Sequence, residues 1–236
     1  MKLKIQTMNC KQTRRASRSV LTIFASLGLA TSAHAAVLLT PVGVVNTNGG
    51  NLSNRDISKT IDGSGMFDSA TGGDPVAITA ANVNDVYSEI AGVAPNNSYW
   101  ISSNLGSANF STVVLTFDLG ESFDDVDRVH LWNYSANNSA PRGLKTADIL
   151  FSSDGVTFTP GVALTFADTP GNVRPTADTV SFDAVSDVRY IRLTNFTNQG
   201  DNNYLAFHEI RFGAIPEPSV ALLGGLGLLA MLRRKR

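Results

Sequence analysis

The run STVVLTFDLG, residues 111–120, alternates without a break. Val113, Leu115 and Phe117 fall on one face, and Thr112, Thr116 and Asp118 on the other. A period of two marks a half-buried strand, and Gly120 ends it. Similar short runs recur: VDRVHLWNY (126–134), TADILFSS (146–153), VTFTPGVALTF (156–166), DTVSFDA (178–184), VRYIRLTNF (188–196) and YLAFHEIRF (204–212). AVLLTPVGVVN (36–46) supplies a first strand, which Pro41 confines to an edge or bends into a bulge. Pro160-Gly161 breaks the run 156–166, and Ser153-Asp154-Gly155 reads as a tight turn. No long stretch holds a 3.6-residue apolar period, and AANVNDVYSEIAGV (80–93) is the best candidate for a short helix. Segment 64–98, rich in Gly, Ala, Asn and Ser, reads as a long loop or insertion. About eight strands at this spacing predict an all-β fold, an antiparallel jelly-roll β-sandwich.

Both ends of the chain read as address labels. Lys2, Lys4, Lys11, Arg14, Arg15 and Arg18 precede an apolar stretch from Val20 to about Ala30, and TSAHA follows with Ala33 and Ala35. That order is a secretory signal peptide over residues 1–35, cut after Ala35 by signal peptidase. At about 11 residues the apolar stretch falls short of the roughly 20 that span a bilayer. The body, 36–214, holds nine Lys and Arg against nineteen Asp and Glu, a net charge of −10. Such a surface repels phosphate backbones, so no nucleic acid partner is expected. The single cysteine, Cys10, lies in the signal, so the body has no disulfide and is held by its core alone.

The chain ends on Pro216-Glu217-Pro218, a fourteen-residue stretch from Ser219 to Leu232, and Arg233-Arg234-Lys235-Arg236. As a helix the stretch is about 21 Å long, against a hydrocarbon core of about 30 Å. It can halt translocation through a transient inner-membrane contact at 219–232, with the cations cytoplasmic, but makes a poor permanent anchor. This order is similar to the PEP-CTERM sorting signal of Gram-negative bacteria, here over 215–236. The resemblance implies cutting by an exosortase and delivery to the cell surface or the extracellular polysaccharide matrix.

Motifs in the body resemble a family as well. In order they are TIDGSG (60–65), YWISS (99–103), VVLTFDLGESF (113–123), RVHLWNY (128–134), RGLK (142–145), ILFSSDGVTFT (149–159), VRYIRLTNF (188–196) and LAFHEIRFG (205–213). Together they resemble the discoidin, or coagulation factor type C, domain, a branch of the galactose-binding-like jelly rolls. Trp100 lies 38 positions after Asp62, farther than the family pattern, so the intervening loop is longer here. The resemblance implies a structural Ca²⁺ where the first and last strands meet, with Asp62 and Glu209 as carboxylates and Ser64 and Asp68 as further oxygens. Calcium takes six to eight oxygens, so loop carbonyls would complete the set. The other reading makes Asp62-Gly63 a plain turn and Glu209 a solvated strand residue.

Trp132, Asn133, Tyr134 and Arg142 are the candidates for contact with a sugar. Rings stack on the apolar face of a sugar, while Arg and Asn bond its hydroxyls. Trp132 shares a strand face with His130 and Tyr134, so packing is the competing role. The Asn-rich loop NFTNQGDNN (195–203) is a further possible contact. His208 shares its strand face with Ile210 and Phe212 and reads as a packed residue rather than a catalytic one. No nucleophile elbow, H-E-x-x-H pair or phosphate loop is present, so no enzyme is expected. The expected function is an exported, non-catalytic module that attaches to extracellular polysaccharide at the bacterial surface. The alternative is a structural protein of the exopolysaccharide matrix with no discrete ligand site.

Overall fold

In a computed structural model of the chain, residues 36–91, 98–136 and 141–216 are described. The expected signal peptide and nearly all of the sorting signal lie outside them. Twelve strands form among the described residues: β1 (Val37–Leu39), β2 (Gly43–Thr47), β3 (Met66–Phe67), β4 (Tyr87–Ser88), β5 (Trp100–Ile101), β6 (Val114–Phe123), β7 (Val126–Asn133), β8 (Leu144–Ser152), β9 (Thr159–Thr165), β10 (Asp178–Val185), β11 (Val188–Asn198) and β12 (Ala206–Ala214). One five-stranded sheet runs β1-β12-β7-β10, with β5 also on β12. The other runs β2-β6-β11-β8-β9, and every strand pairing is antiparallel. The fold is therefore the all-β antiparallel sandwich that the alternating runs predict.

The inner faces meet in one core. Val113, Leu115 and Phe117 oppose Val129, Leu131, Ile210 and Phe212, all fully buried. Pro41 explains why the first run yields two strands. It falls at a corner where the chain leaves β1, on the edge of one sheet, and enters β2, on the edge of the other. β1 pairs with β12 from Val37 opposite Ala214 to Leu39 opposite Phe212, so the two ends of the body lie side by side. Pro160-Gly161 does not break its strand; Pro160 sits within β9, an edge strand with an irregular register to β8, where its missing N–H costs nothing. Ser153-Asp154-Gly155 forms the expected turn, with Asp154 Oδ1 accepting from the N–H groups of Val156 and Thr157 at 2.8 Å.

Segment 80–93 is not a helix in its described part. It is a turn followed by β4. Asn82 diverts the backbone: its Oδ1 accepts from the Thr79 N–H (2.7 Å) and its Nδ2 donates to the Ala77 carbonyl (3.0 Å). Asn side chains compete in this way with helical hydrogen bonds. The apolar residues that hinted at a helix, Val83 and Val86, are buried instead against Met66 and Trp132. The long loop thus has a structural task. Residues 64–91 lie over the outer face of the β12–β7 sheet and close a second, smaller core there.

Trp132 is the centre of that second core. It is fully buried, and its indole N–H donates to the Val86 carbonyl at 2.8 Å. Trp132→Ala is expected to lower the unfolding free energy by about 3–5 kcal/mol, read from the urea midpoint. A loss under about 1 kcal/mol would mean that the segment does not pack on this face.

Candidate functional site

The sandwich has two unlike ends. At one lie the paired termini of the body and the short β6–β7 and β10–β11 turns. At the other, longer connections converge, among them 48–56, 102–113 and 199–205, with the described parts 134–136 and 141–143 of the β7–β8 connection. Antiparallel register dictates this, because β7, β9 and β11 all finish at the end where β8, β10 and β12 begin.

Of the four residues singled out for sugar contact, the structure brings two together. Arg142 reaches Tyr134, whose phenol is pushed up by burial and drawn down by the Arg142 and Arg55 guanidiniums. Arg142 also pairs with Asp201 (Nε to Oδ2, 3.2 Å) and lies over the Tyr204 ring, 4.6 Å from its centroid. Trp132 does not join them. It faces the second core, so packing is the role it plays. Asn133 is also nearly enclosed, at 2% exposure. Its Nδ2 donates to the carbonyls of Leu144 (2.7 Å) and Ala167 (3.2 Å), and its Oδ1 accepts from the N–H groups of Tyr134 and Leu144. Asn133 thus ties the end of β7 to the start of β8. A side chain at Gly143 would strike Asn133 Oδ1 at 2.7 Å, so glycine is required there. Asn133 also lines a cleft of about 460 Å³ with Tyr87, Asp168, Arg174 and Thr176.

The 195–203 loop contributes through Asp201, which organises it. Asp201 Oδ1 accepts from the N–H groups of Asn203 (2.7 Å) and Tyr204 (2.9 Å), while Oδ2 takes Arg142. Asn198 Nδ2 donates to the carbonyls of Asp201 and Tyr204. Asn202 and Asn203 remain exposed. The loop is therefore a fixed platform presenting a half-buried ring, a guanidinium and exposed amides on one surface.

Beneath it lies an aromatic cluster that the sequence did not reveal. His208 stacks on Tyr134 with centroids 5.9 Å apart, and Tyr99 meets both rings edge-on at 5.3 and 5.7 Å. Arg55 lies 5.4 Å above Tyr99 and donates from Nε to its hydroxyl at 3.0 Å. His208 owes its place to a bulge. Between Phe207 and Glu209, β12 advances two residues while β7 advances one, from Asn133 to Trp132. Strict alternation would leave His208 with Ile210 and Phe212; the bulge moves it out of the main core into the tyrosine cluster. Burial pushes its imidazole down to about 3, so it is neutral in the folded protein.

The four residues expected to hold calcium are only partly assembled. Asp62, Ser64 and Glu209 lie near one another: the Gly63 N–H donates to Glu209 Oε2 (3.2 Å) and the Ser64 N–H to Asp62 Oδ1 (2.8 Å). Asp68 is exposed and does not join them; its N–H donates to the Asp74 carbonyl in a separate turn. Both carboxylates already have cation partners, Lys59 at 3.3 Å from Asp62 and Arg211 on Glu209. Among the described residues no group of three or more His, Cys, Asp or Glu is placed to hold a metal. Calcium requires six to eight oxygens with no cation in their midst, and these residues do not fit it.

No family model and no curated protein matches the chain. Solved structures do. The CBM32 of AlyQ, in complex with 4,5-unsaturated mannuronic acid, is 19% identical over 74% of this chain and 96% of its own, with a TM-score of 0.43. CBM32-3 from a family 31 glycoside hydrolase of Clostridium perfringens is 14% identical over 75% and 90%, with a TM-score of 0.46. The F5/8 type C domain of a Bacteroides fragilis protein is 16% identical over 77% and 97%, with a TM-score of 0.48. The solved structures to which this chain is similar are thus CBM32 and F5/8 type C domains, the latter being the discoidin-like group that its motifs resemble.

The depressed pKa of His208 carries a sign that can be measured. Between about 6.5 and 3 the unfolded chain binds a proton at this residue that the folded chain does not, so its contribution to stability falls as pH drops below 6.5. The stability advantage of wild type over His208→Asn should shrink by about 2 kcal/mol from pH 7 to pH 5. Denaturant titrations at the two pH values check this. An advantage that stays constant would place the imidazole in contact with water.

Proposed function

We propose that this chain is a non-catalytic carbohydrate-binding module whose glycan site lies at the loop end, on Arg142, Tyr204, Asp201 and Tyr134, with Arg55 beside them. The arrangement of Arg142 over Tyr204, fixed by Asp201, carries the reading. It puts a planar multi-donor cation, a carboxylate acceptor and an aromatic ring on one rigid surface, the three kinds of group that hold sugar hydroxyls and the apolar face of a sugar ring. The platform is fixed by hydrogen bonds before any ligand arrives, which lowers the entropy cost of binding. The site combines two positive guanidiniums with an otherwise acidic body, so polysaccharides with carboxylate groups belong among the candidates alongside neutral ones. The setting we infer is the cell surface or extracellular matrix of a Gram-negative bacterium. The chain would reach it by signal-peptide export and exosortase processing, and its partner there would be extracellular polysaccharide.

A glycan array that includes neutral and uronate-containing polysaccharides tests the reading. Selective binding is expected, and Arg142→Ala and Tyr204→Ala should each weaken it at least tenfold, roughly the loss of one charge-assisted hydrogen bond or one ring contact. Silence across the whole array would favour a structural matrix protein without a ligand site. Binding that survives Arg142→Ala but is lost on Arg174→Ala would move the site to the Tyr87–Asn133 cleft.

A further inference from the structure

β12 is paired along one edge by β7. On its other edge β1 covers residues 212–214 and β5 covers 206–207. Residues 208–211 of that edge have no strand partner among the described residues; the 57–65 segment lies there instead. Glu209 and Arg211 project from this stretch, alternating with Ile210 and Phe212 of the main core. Neither reaches water: Glu209 is 0% and Arg211 4% exposed.

Their contacts close on each other and on the loop. Arg211 Nη1 donates to Glu209 Oε1 and to the Ile210 carbonyl (2.9 Å). The second carboxylate oxygen, Oε2, accepts from the Gly63 N–H. The loop passes beside the guanidinium: a Cβ at Gly63 would come within 3.6 Å of Arg211 Nη2. Asp62 acts electrostatically on both members of the pair, and Lys59 balances Asp62 from outside. The junction thus holds two carboxylates and two cations. A divalent ion at Glu209 would lie against a guanidinium that cannot shed its charge, in a buried site where that repulsion is weakly screened.

We propose that Arg211 is the resident cation of this junction, latching the 61–65 loop to the last strand so that the domain closes there without a divalent metal. Arginine suits the role because it keeps its charge when buried, and here its Nη1 serves the carboxylate and the Ile210 carbonyl together. The latch also fixes the start of the segment that covers the outer face, because Met66 follows the loop directly. The inference is independent of the glycan reading.

Thermal unfolding of the purified full-length chain, with excess EDTA and with millimolar calcium, tests it. A calcium site filled at a hundred times its Kd would raise the midpoint by roughly 5–10 °C in a domain of this size. No difference above about 2 °C is expected between the two scans; a larger rise with calcium, or a larger fall with EDTA, overturns the proposal. Arg211→Met strands a buried carboxylate and should lower the midpoint by roughly 6–20 °C. The double variant Glu209→Gln/Arg211→Met, which strands none, should recover part of that loss. An Arg211→Met midpoint equal to wild type overturns the latch. Should that variant not fold, the two wild-type scans still decide the matter.

Discussion

Burial of β12 on both faces is the constraint from which the rest of the structure follows. All nine of its residues are enclosed. One face supplies Ile210, Phe212 and Ala214 to the sandwich core, as an antiparallel strand ordinarily does. The other carries a carboxylate and a guanidinium, groups that are costly to enclose unless each is paired. Their enclosure is tolerated because they pair with each other and because the 61–65 loop supplies the Gly63 N–H to the second carboxylate oxygen. The same cover continues across β7, where Trp132 faces outward and bonds Val86; His130, on the same face, bonds the Thr179 hydroxyl of the neighbouring β10. The segment that looked like a polar insertion is therefore a third layer over half of the sandwich.

That layer divides the labour of the molecule. The outer face of the β12–β7 sheet is spent on stability, and the covered residues are unavailable for recognition. The glycan site we propose lies at the loop end, where β12 begins with a bulge at His208 and the Tyr99–Tyr134–His208 cluster supports Arg142 and Tyr204 from below. The paired ends of the body emerge at the opposite end of the sandwich.

The sheets were legible in the sequence because their signals are local. Val113, Leu115 and Phe117 announce an inward face by period alone, and Pro41 announces the corner between β1 and β2. The third layer was not legible, because its order comes from contacts far apart in the chain. Val83 and Val86 have helical spacing, yet Trp132 decides their conformation from some fifty residues away. Arg55 carried no motif, Tyr99 entered only as the first residue of YWISS, and only register places them beside Tyr134 and Arg142. His208 misled because period-two reasoning assumes an unbroken ladder, and one extra residue in β12 shifts it to another cluster. The Asp62–Glu209 proximity followed from the first and last strands being neighbours. The cation that meets Glu209 is its own strand neighbour Arg211, and sequence spacing alone does not distinguish that partner from a metal.

Amide hydrogen exchange along β12 tests the double burial most directly. Residues 208–211 should rank with the central strand β11 among the slowest to exchange, although no described strand pairs their outer edge, because the 57–65 segment and the third layer shield them. Exchange of these amides at the rate of the edge strand β9 would contradict the account, since it would show this stretch of β12 open to water.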